Sequence, residues 1–404
     1  MPRQQLVAGL DVGSSQITCV LGKEGPAHNT LEIISVGQKQ CPGGIKAGTV
    51  VDIDVATDAI KFAIEQAEEK ADEIINQLYL GISGLHIETH NSRGVISISR
   101  ADKEITSEDV TGAIENAKAI QISSDREIID TISQEYSLDR QKGVHNPVGM
   151  EGHFLEVYAH IITASVTHLN NVYKAIAKAG FNVIEPIYGL MALGDIVITN
   201  EEKELGCLLI DFGGQLTGLA IYTEGSIKFS KELNFGMDFI TRDISHSFKT
   251  SLAQAQFIKE QYGLTIPSLI KKDEEFEFMS VDGRTRHKST LKELAEKIAP
   301  RLEEMLERIK VEIENTAYYD YIGPGGIILT GGGSLMNGLT TACEKILDTQ
   351  TRLGLPQNVT GKSEIISNPS YSTAIGLIKY RPQIETGRKQ FLKTSLLKKL
   401  RDWL

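Results

Sequence analysis

Residues 6–21 read LVAGLDVGSSQITCVL, and 200 residues further along residues 206–222 read GCLLIDFGGQLTGLAIY. In each copy an apolar, β-rich run ends at an Asp, turns through Gly or Ser, and resumes as a second apolar run. That is the pattern of a hairpin with a polar, backbone-exposing tip. Ser14, Ser15, Gly213 and Gly214 place little side chain in front of their own amide N–H groups, so each tip can take an anion such as a phosphate. Asp11 and Asp211 can hold a hydrated Mg2+. A third stretch, residues 325–339 (GGIILTGGGSLMNGL), reads as a buried strand running into Gly331, Gly332 and Gly333 and then a helix. Backbone without side chains at that turn can pass close to a flat ligand.

Singly, an Asp-Gly hairpin is most often only a hairpin. Two matching tips followed by a glycine-rich strand-to-helix turn, in this order, describe a nucleotide cleft between two related halves. Neither GxxxxGK[ST] nor an isolated GxGxxG occurs, which weighs against the P-loop and Rossmann readings.

The chain has 404 residues, 41% hydrophobic and 24% charged, enough for two or more cores in a soluble globular protein. Cys19, Cys41, Cys207 and Cys343 lie far apart with no CxxC pair and read as reduced core thiols. No signal-peptide pattern opens the sequence, and no apolar stretch approaches the roughly 20 residues needed to cross a bilayer, so the bulk is expected in the cytoplasm. The net charge is −11, but the last 17 residues hold six Lys/Arg and one Asp. An acidic body argues against nucleic acid as a partner, because phosphate neutralisation needs a basic face.

Alternating strand and helix signals imply α/β layers with mixed sheets. Residues 54–75 repeat apolar positions at helical spacing, and residues 78–82 are a strand. From 83 to about 160 the chain leaves the main sheet through strand-like HIETH and GVISISR runs, a capped helix at 106–119 and a strand at 130–138, which together form a small inserted subdomain. Residues 161–198 return to the first half, with a helix at 166–179 and Glu185-Pro186 opening a connecting helix. A second small subdomain, 242–301, contains a helix at 253–262, a charged strand region and the start of a long helix at 291–317. The long helix carries an apolar stripe of Leu294, Ile298, Leu302, Met305 and Ile309. His153 and His160 read as ordinary surface or core groups on strands.

Residues 382–389 form a linker, and residues 390–404 (QFLKTSLLKKLRDWL) form an amphipathic helix. It projects Leu392, Leu396, Leu397, Leu400, Trp403 and Leu404 onto an arc of roughly 140°. Lys398, Arg401 and Asp402 lie opposite, and Lys399 lies on the flank. At about 22 Å this helix is too short for a hydrocarbon core of about 30 Å, but suits lying in an anionic headgroup plane with Trp403 at the boundary. Docking of the helix on the body is the plain alternative. One copy should bind reversibly, and linking several copies together would make attachment firm by avidity.

The three glycine-bearing segments resemble the phosphate 1, phosphate 2 and adenosine motifs of the actin, Hsp70 and sugar-kinase superfamily. Within it the whole chain resembles the FtsA family of bacterial cell-division proteins, through GVHNPVG at 143–149, SLAQAQFIKEQYG at 251–263, TLKELAEKIAPR at 290–301, IILTGGG at 327–333 and YSTAIGLIKY at 371–380. The resemblance implies an actin-like (ribonuclease H-like) two-lobed α/β fold. Residues 1–82 and 161–198 would form the first lobe, 83–160 the inserted FtsA-type interaction subdomain, 199–241 and 302–381 the second lobe, and 242–301 its small subdomain.

The resemblance also implies ATP with Mg2+ as ligand. Asp11, Gly13, Ser14 and Ser15 would form the first phosphate loop and Asp211, Gly213 and Gly214 the second. Gly331, Gly332 and Gly333 would border the adenosine, with Gly236 shaping the cleft floor. Gln256 and Lys259 stand where relatives present Glu and Lys to adenine and ribose. The second loop departs from the superfamily pattern DxGGGTxD, since Gln215 replaces the third Gly, Leu216 the Thr and Gly218 the final Asp. At most a slow ATPase is expected, with ATP acting as a conformational ligand. The partners implied are the tail peptide of the tubulin-like protein FtsZ, met by Arg301 and Glu304, further copies of the chain in a filament, an anionic membrane surface, and later division proteins. The location implied is the cytoplasmic face of the cell membrane at the septum. A pilus-assembly adaptor of the PilM type and a kinase of the same superfamily are the rival readings.

Overall fold

The computed structural model describes residues 6–25 and 30–380. The amphipathic segment 390–404 and its linker lie outside the described residues.

Six strands form the first sheet, in the order Asn182–Tyr188, Gln77–Ile82, Val7–Val12, Gln16–Glu24, Leu31–Gln40 and Val359–Thr360. Val7–Val12 pairs antiparallel with Gln16–Glu24 and parallel with Gln77–Ile82. The second sheet repeats the arrangement: Cys207–Phe212 pairs antiparallel with Thr217–Thr223 and parallel with Gly326–Thr330. Ser226–Leu233 and Thr351–Leu353 flank those three strands. Both hairpins read as nearly unbroken apolar runs because both faces of their strands are covered. Leu10, Ile17, Val20, Leu208, Ile210 and Leu219 are fully buried.

Helices supply the cover. Ile53–Ala71 is capped by Asp52, whose carboxylate accepts from the N–H groups of Asp54 and Val55 at 3.0 and 3.1 Å. It lays Ala56, Ile60, Ala63, Ile64 and Ala67 on the first sheet. The long helix runs Leu291–Glu314 from an N-cap at Thr290, and all five residues of its apolar stripe are buried in the second lobe's core. All four cysteines are buried and free.

Two readings need correction. Glu185-Pro186 does not open a helix: Asn182–Tyr188 is a strand parallel to Gln77–Ile82, and the helix begins at Gly189. Proline is tolerated because this is the edge strand, where no outer neighbour needs its missing N–H. His153 stands at an exposed bend just before a strand, its main-chain N–H donating to Asp139 at 3.0 Å.

The inserted unit is a four-stranded sheet, ordered Ile87–Ser97, Phe154–Ser165, Arg126–Leu138 and Gln141–Val144, under the helix Ser107–Ala117. The runs HIETH and GVISISR belong to one continuous strand, Ile87–Ser97. A capping box between Thr106 and Asp109 starts the helix. The unit covers the outer strand Ser226–Leu233 of the second sheet. Thr89 Oγ1 donates to the Ser230 carbonyl (2.7 Å), Asn91 Nδ2 to that of Lys228 (2.8 Å) and Gln134 Nε2 to that of Ile227 (2.6 Å). His160 is buried among these groups, its ring between Asn91 Oδ1 (2.7 Å) and Ser230 Oγ (2.9 Å). Burial pushes its pKa down to about 4, so the ring is neutral and structural at physiological pH.

Candidate nucleotide site

The two hairpin tips face each other across one cleft of about 470 Å³, within the usual size of a small-ligand pocket. Val12 stands opposite Ile17 in the first hairpin, leaving Gly13, Ser14, Ser15 and Gln16 as its tip. Phe212 stands opposite Thr217 in the second, leaving residues 213–216. The tips touch, since a Cβ added to Gly214 would fall 1.8 Å from Ser15 Oγ.

Of the thirteen residues expected at the ligand, twelve line this cleft: Asp11, Gly13, Ser14, Ser15, Asp211, Gly213, Gly214, Gln256, Lys259, Gly331, Gly332 and Gly333. Gly236 lies directly beneath. The N–H groups of Met237 and Asp238 donate to the carbonyls of Gly213 and Gly214 at 3.0 and 2.8 Å, and a Cβ on Gly236 would come 2.5 Å from the Gly214 oxygen. The floor therefore holds the second tip in place through its carbonyls. On the third wall, Gly326–Thr330 ends at Gly331 with φ of +78°, followed by a 3-10 turn at Gly332–Leu335 that Ser334 Oγ locks by donating to the Gly331 carbonyl (2.7 Å).

Gln256 and Lys259 are held by the protein itself. Gln256 accepts from Thr241 Oγ1 (2.8 Å) and donates to Glu260. Lys259 Nζ donates to Thr241 Oγ1 (2.8 Å) and to the Met237 carbonyl (3.2 Å), and burial brings its pKa down to about 8. Arg301 and Glu304 lie outside the cleft on the long helix. Arg301 forks onto Asp243 (Nε–Oδ2 2.6 Å, Nη2–Oδ1 3.2 Å) and also bonds Glu304, which in turn receives Arg308.

Sequence reasoning missed two features. Gln215 reaches across to the first lobe, where its Oε1 accepts the Ala47 N–H (3.0 Å), and beside it Ser14 Oγ accepts the Gly48 N–H (3.0 Å). The strands Ile45–Lys46 and Thr49–Val50 thus present their turn to both tips. No local pattern marks that contact, because its partners are 168 residues apart. Gln215→Ala is expected to speed amide exchange at residues 45–50 about five-fold, the equivalent of about 1 kcal/mol for one hydrogen bond. Unchanged exchange measured by mass spectrometry would show that the clasp does not hold the lobes.

The second missed feature is Glu232, which joins Asp11 and Asp211 at the cleft wall. Burial, reinforced by Asp211, raises the pKa of Asp11 to about 7, and burial raises that of Asp211 to about 6. Burial, with Asp211 and Asp11 adding repulsion, raises Glu232 to about 8. Among the described lining residues Lys259 is the only cation. A polyphosphate sharing this cleft with the carboxylates would need their charge offset, by protons or by a cation, and the donor set fits Mg2+. Among the described residues no three His, Cys, Asp or Glu side chains converge closely enough to chelate a bare ion, so the carboxylates would hold it through water.

Two duplicated hairpin sheets meeting at a cleft, closed by a glycine turn, define an actin-like two-lobed protein. Among solved structures the fold is similar to the PilM-PilN type IV pilus biogenesis complex (TM-score 0.68, 17% identity, 93% of this chain and 98% of that one). It is also similar to MreB5 of Spiroplasma citri bound to ADP (TM-score 0.59, 13% identity, 96% and 99%). At those identities the likeness is one of fold.

The family model "Cell division protein FtsA" matches residues 208–376, and "SHS2 domain inserted in FTSA" matches residues 84–163. The cell division protein FtsA of Neisseria meningitidis is 36% identical over 411 aligned positions, covering 100% of this chain and 98% of that protein. The chain belongs to the FtsA family of actin-like cell division proteins.

Proposed function

We propose that this chain is an ATP-binding adaptor that assembles into filaments on the cytoplasmic face of the cell membrane and tethers FtsZ there while the septum forms. The observation that carries the reading is the meeting of two phosphate-type tips and a glycine turn around one cleft, in a chain of the FtsA family. Amide N–H groups at Gly13–Ser15 and at Gly214 would bind phosphate oxygens, while the Gly213 N–H donates to the Leu216 carbonyl (3.0 Å) and shapes the tip. Asp11 and Asp211 would hold water around Mg2+, whose charge neutralises the polyphosphate. Leu335 and Met336 offer an apolar border to a purine beside the bare backbone of the glycine turn. A ligand that touches both tips favours the closed arrangement of the lobes, and so biases assembly by differential affinity rather than by turnover.

Among the described residues no helix is long and apolar enough to cross a membrane. Attachment is assigned to residues 390–404, whose apolar arc and excess of Lys/Arg suit an anionic surface. The test mixes purified protein with FtsZ, ATP and anionic liposomes, and compares the full chain with one ending at Gly387. Sedimentation of FtsZ with vesicles is expected for the first and is expected to fall to background for the second. Equal recruitment by both would sink the tether.

The peptide site makes a separate prediction. For Arg301 to receive a carboxylate of the FtsZ tail side-on with Nε and Nη2, it must release Asp243, which holds both; its Nη1 is shared with Glu304. Asp243→Asn is therefore expected to raise affinity for that peptide by two- to five-fold, and Arg301→Ala to lower it by about ten-fold. Calorimetric titration showing both variants weakened alike would mean that the ion pair serves only to join the helices.

A further inference from the structure

The second hairpin carries no carboxylate where the superfamily pattern ends in Asp. Gly218 stands there, and the structure has filled the space: a Cβ would come 2.7 Å from Leu190 Cδ2. Directly across the antiparallel ladder, Gly218 is paired with Glu232. Side chains of directly opposed residues leave a sheet on the same face, so Glu232 projects on the side from which an Asp at 218 would have emerged.

Its neighbours fix that direction. Leu233 enters the second lobe's core and Lys231 pairs with Glu312, while Glu232 borders the cleft that Asp11, Asp211 and Gly218 also line. Among the described residues no Lys, Arg or His pairs with Glu232. The Tyr188 hydroxyl, from the edge strand of the first sheet, lies beside it, buried and without a hydrogen bond of good geometry. A half-buried carboxylate that faces the cleft with no cation beside it, its near neighbour a buried hydroxyl in poor hydrogen-bonding geometry, marks a place where a positive charge or its water shell is still to be bound.

We propose that Glu232, on the adjacent strand, supplies the carboxylate that Gly218 lacks: it positions the water shell of the metal ion that accompanies the nucleotide, with Tyr188 as its neighbour from the first lobe. This rests on the nucleotide reading above. Glu232 is then a positioning residue that couples ATP affinity to Mg2+.

The test titrates ATP into the full-length chain by calorimetry, once with Mg2+ and once with EDTA, for the parent, Glu232→Gln and Glu232→Asp. The parent is expected to bind ATP at least ten-fold more tightly with Mg2+. In Glu232→Gln that gain should shrink to three-fold or less, while affinity in EDTA stays equal or rises because one repelling charge is gone. Glu232→Asp, still a carboxylate, should keep most of the gain. A Gln variant with the parent's full gain would overturn the assignment, as would equal losses in the Gln and Asp variants, which would mark a packing role. A parent that binds no ATP under either condition would overturn the nucleotide reading itself, a result separable from the others.

Discussion

Replacing Gly331 by Val is expected to abolish nucleotide binding and to destabilise the second lobe by about 2–5 kcal/mol. Two causes act together. The backbone at 331 has φ of +78°, a conformation that a β-branched residue adopts only under strain. A Cβ there would also fall 2.2 Å from Asp211 Oδ1 and 2.7 Å from the Phe212 carbonyl oxygen. Relief could come only by pushing the turn away from the second hairpin, which parts two walls of the cleft. Gly332→Ala provides the control, because its nearest atom would be Ser370 Oγ at 3.2 Å and its φ is ordinary. Urea unfolding with and without ATP should separate the two variants clearly. Retention of an ATP-induced shift by Gly331→Val would remove the turn from the binding site.

The second large effect is one of pH. Asp11, Asp211 and Glu232 keep their protons to about pH 7, 6 and 8 in the folded chain, well above the ordinary carboxyl range of an unfolded one. Between those limits the folded state binds more protons, so their contribution is fully present below about pH 4 and is lost as the pH rises through about 6 to 8. Unliganded protein should therefore lose stability from pH 5 to pH 8. Asp11→Asn should flatten the profile by on the order of 3 kcal/mol across that interval. Mg2+ with ATP favours the ionised carboxylates, so the stabilisation they give together should grow over the same interval. Identical urea-derived profiles for parent and Asp11→Asn would show that the carboxyl is not held protonated by its surroundings.

Much of this was legible because the relevant signals are local. Each hairpin is a run of apolar residues interrupted by a short polar tip, and the strand–glycine turn has the same character. Thr290, Thr106 and Ser251 mark helix starts by their own side-chain hydrogen bonds. Glu185-Pro186 misled because proline's usual meaning as a helix opener depends on context that only sheet order supplies. Gln215 and Glu232 escaped because their meaning lies with Ala47 and Gly218, partners set by tertiary contact and strand register. An absent Asp at 218 was visible in the sequence; the compensating carboxylate on the next strand was not.

The amino-acid order by itself determined the repeated hairpins, the three glycine-rich turns, the amphipathic helices and the acidic body with its basic end, since periodicity, backbone freedom and charge are properties of neighbouring residues. Only the tertiary structure decided that the tips touch, that the inserted unit seals the outer strand of the second sheet through Thr89, Asn91, Gln134 and His160, and that five carboxylates, Asp11, Asp211, Glu232, Asp238 and Glu260, line one cleft with one lysine. Those outcomes depend on which distant surfaces meet and on the burial that follows, and burial is what turns an ordinary Asp or Glu into a group that waits for a cation.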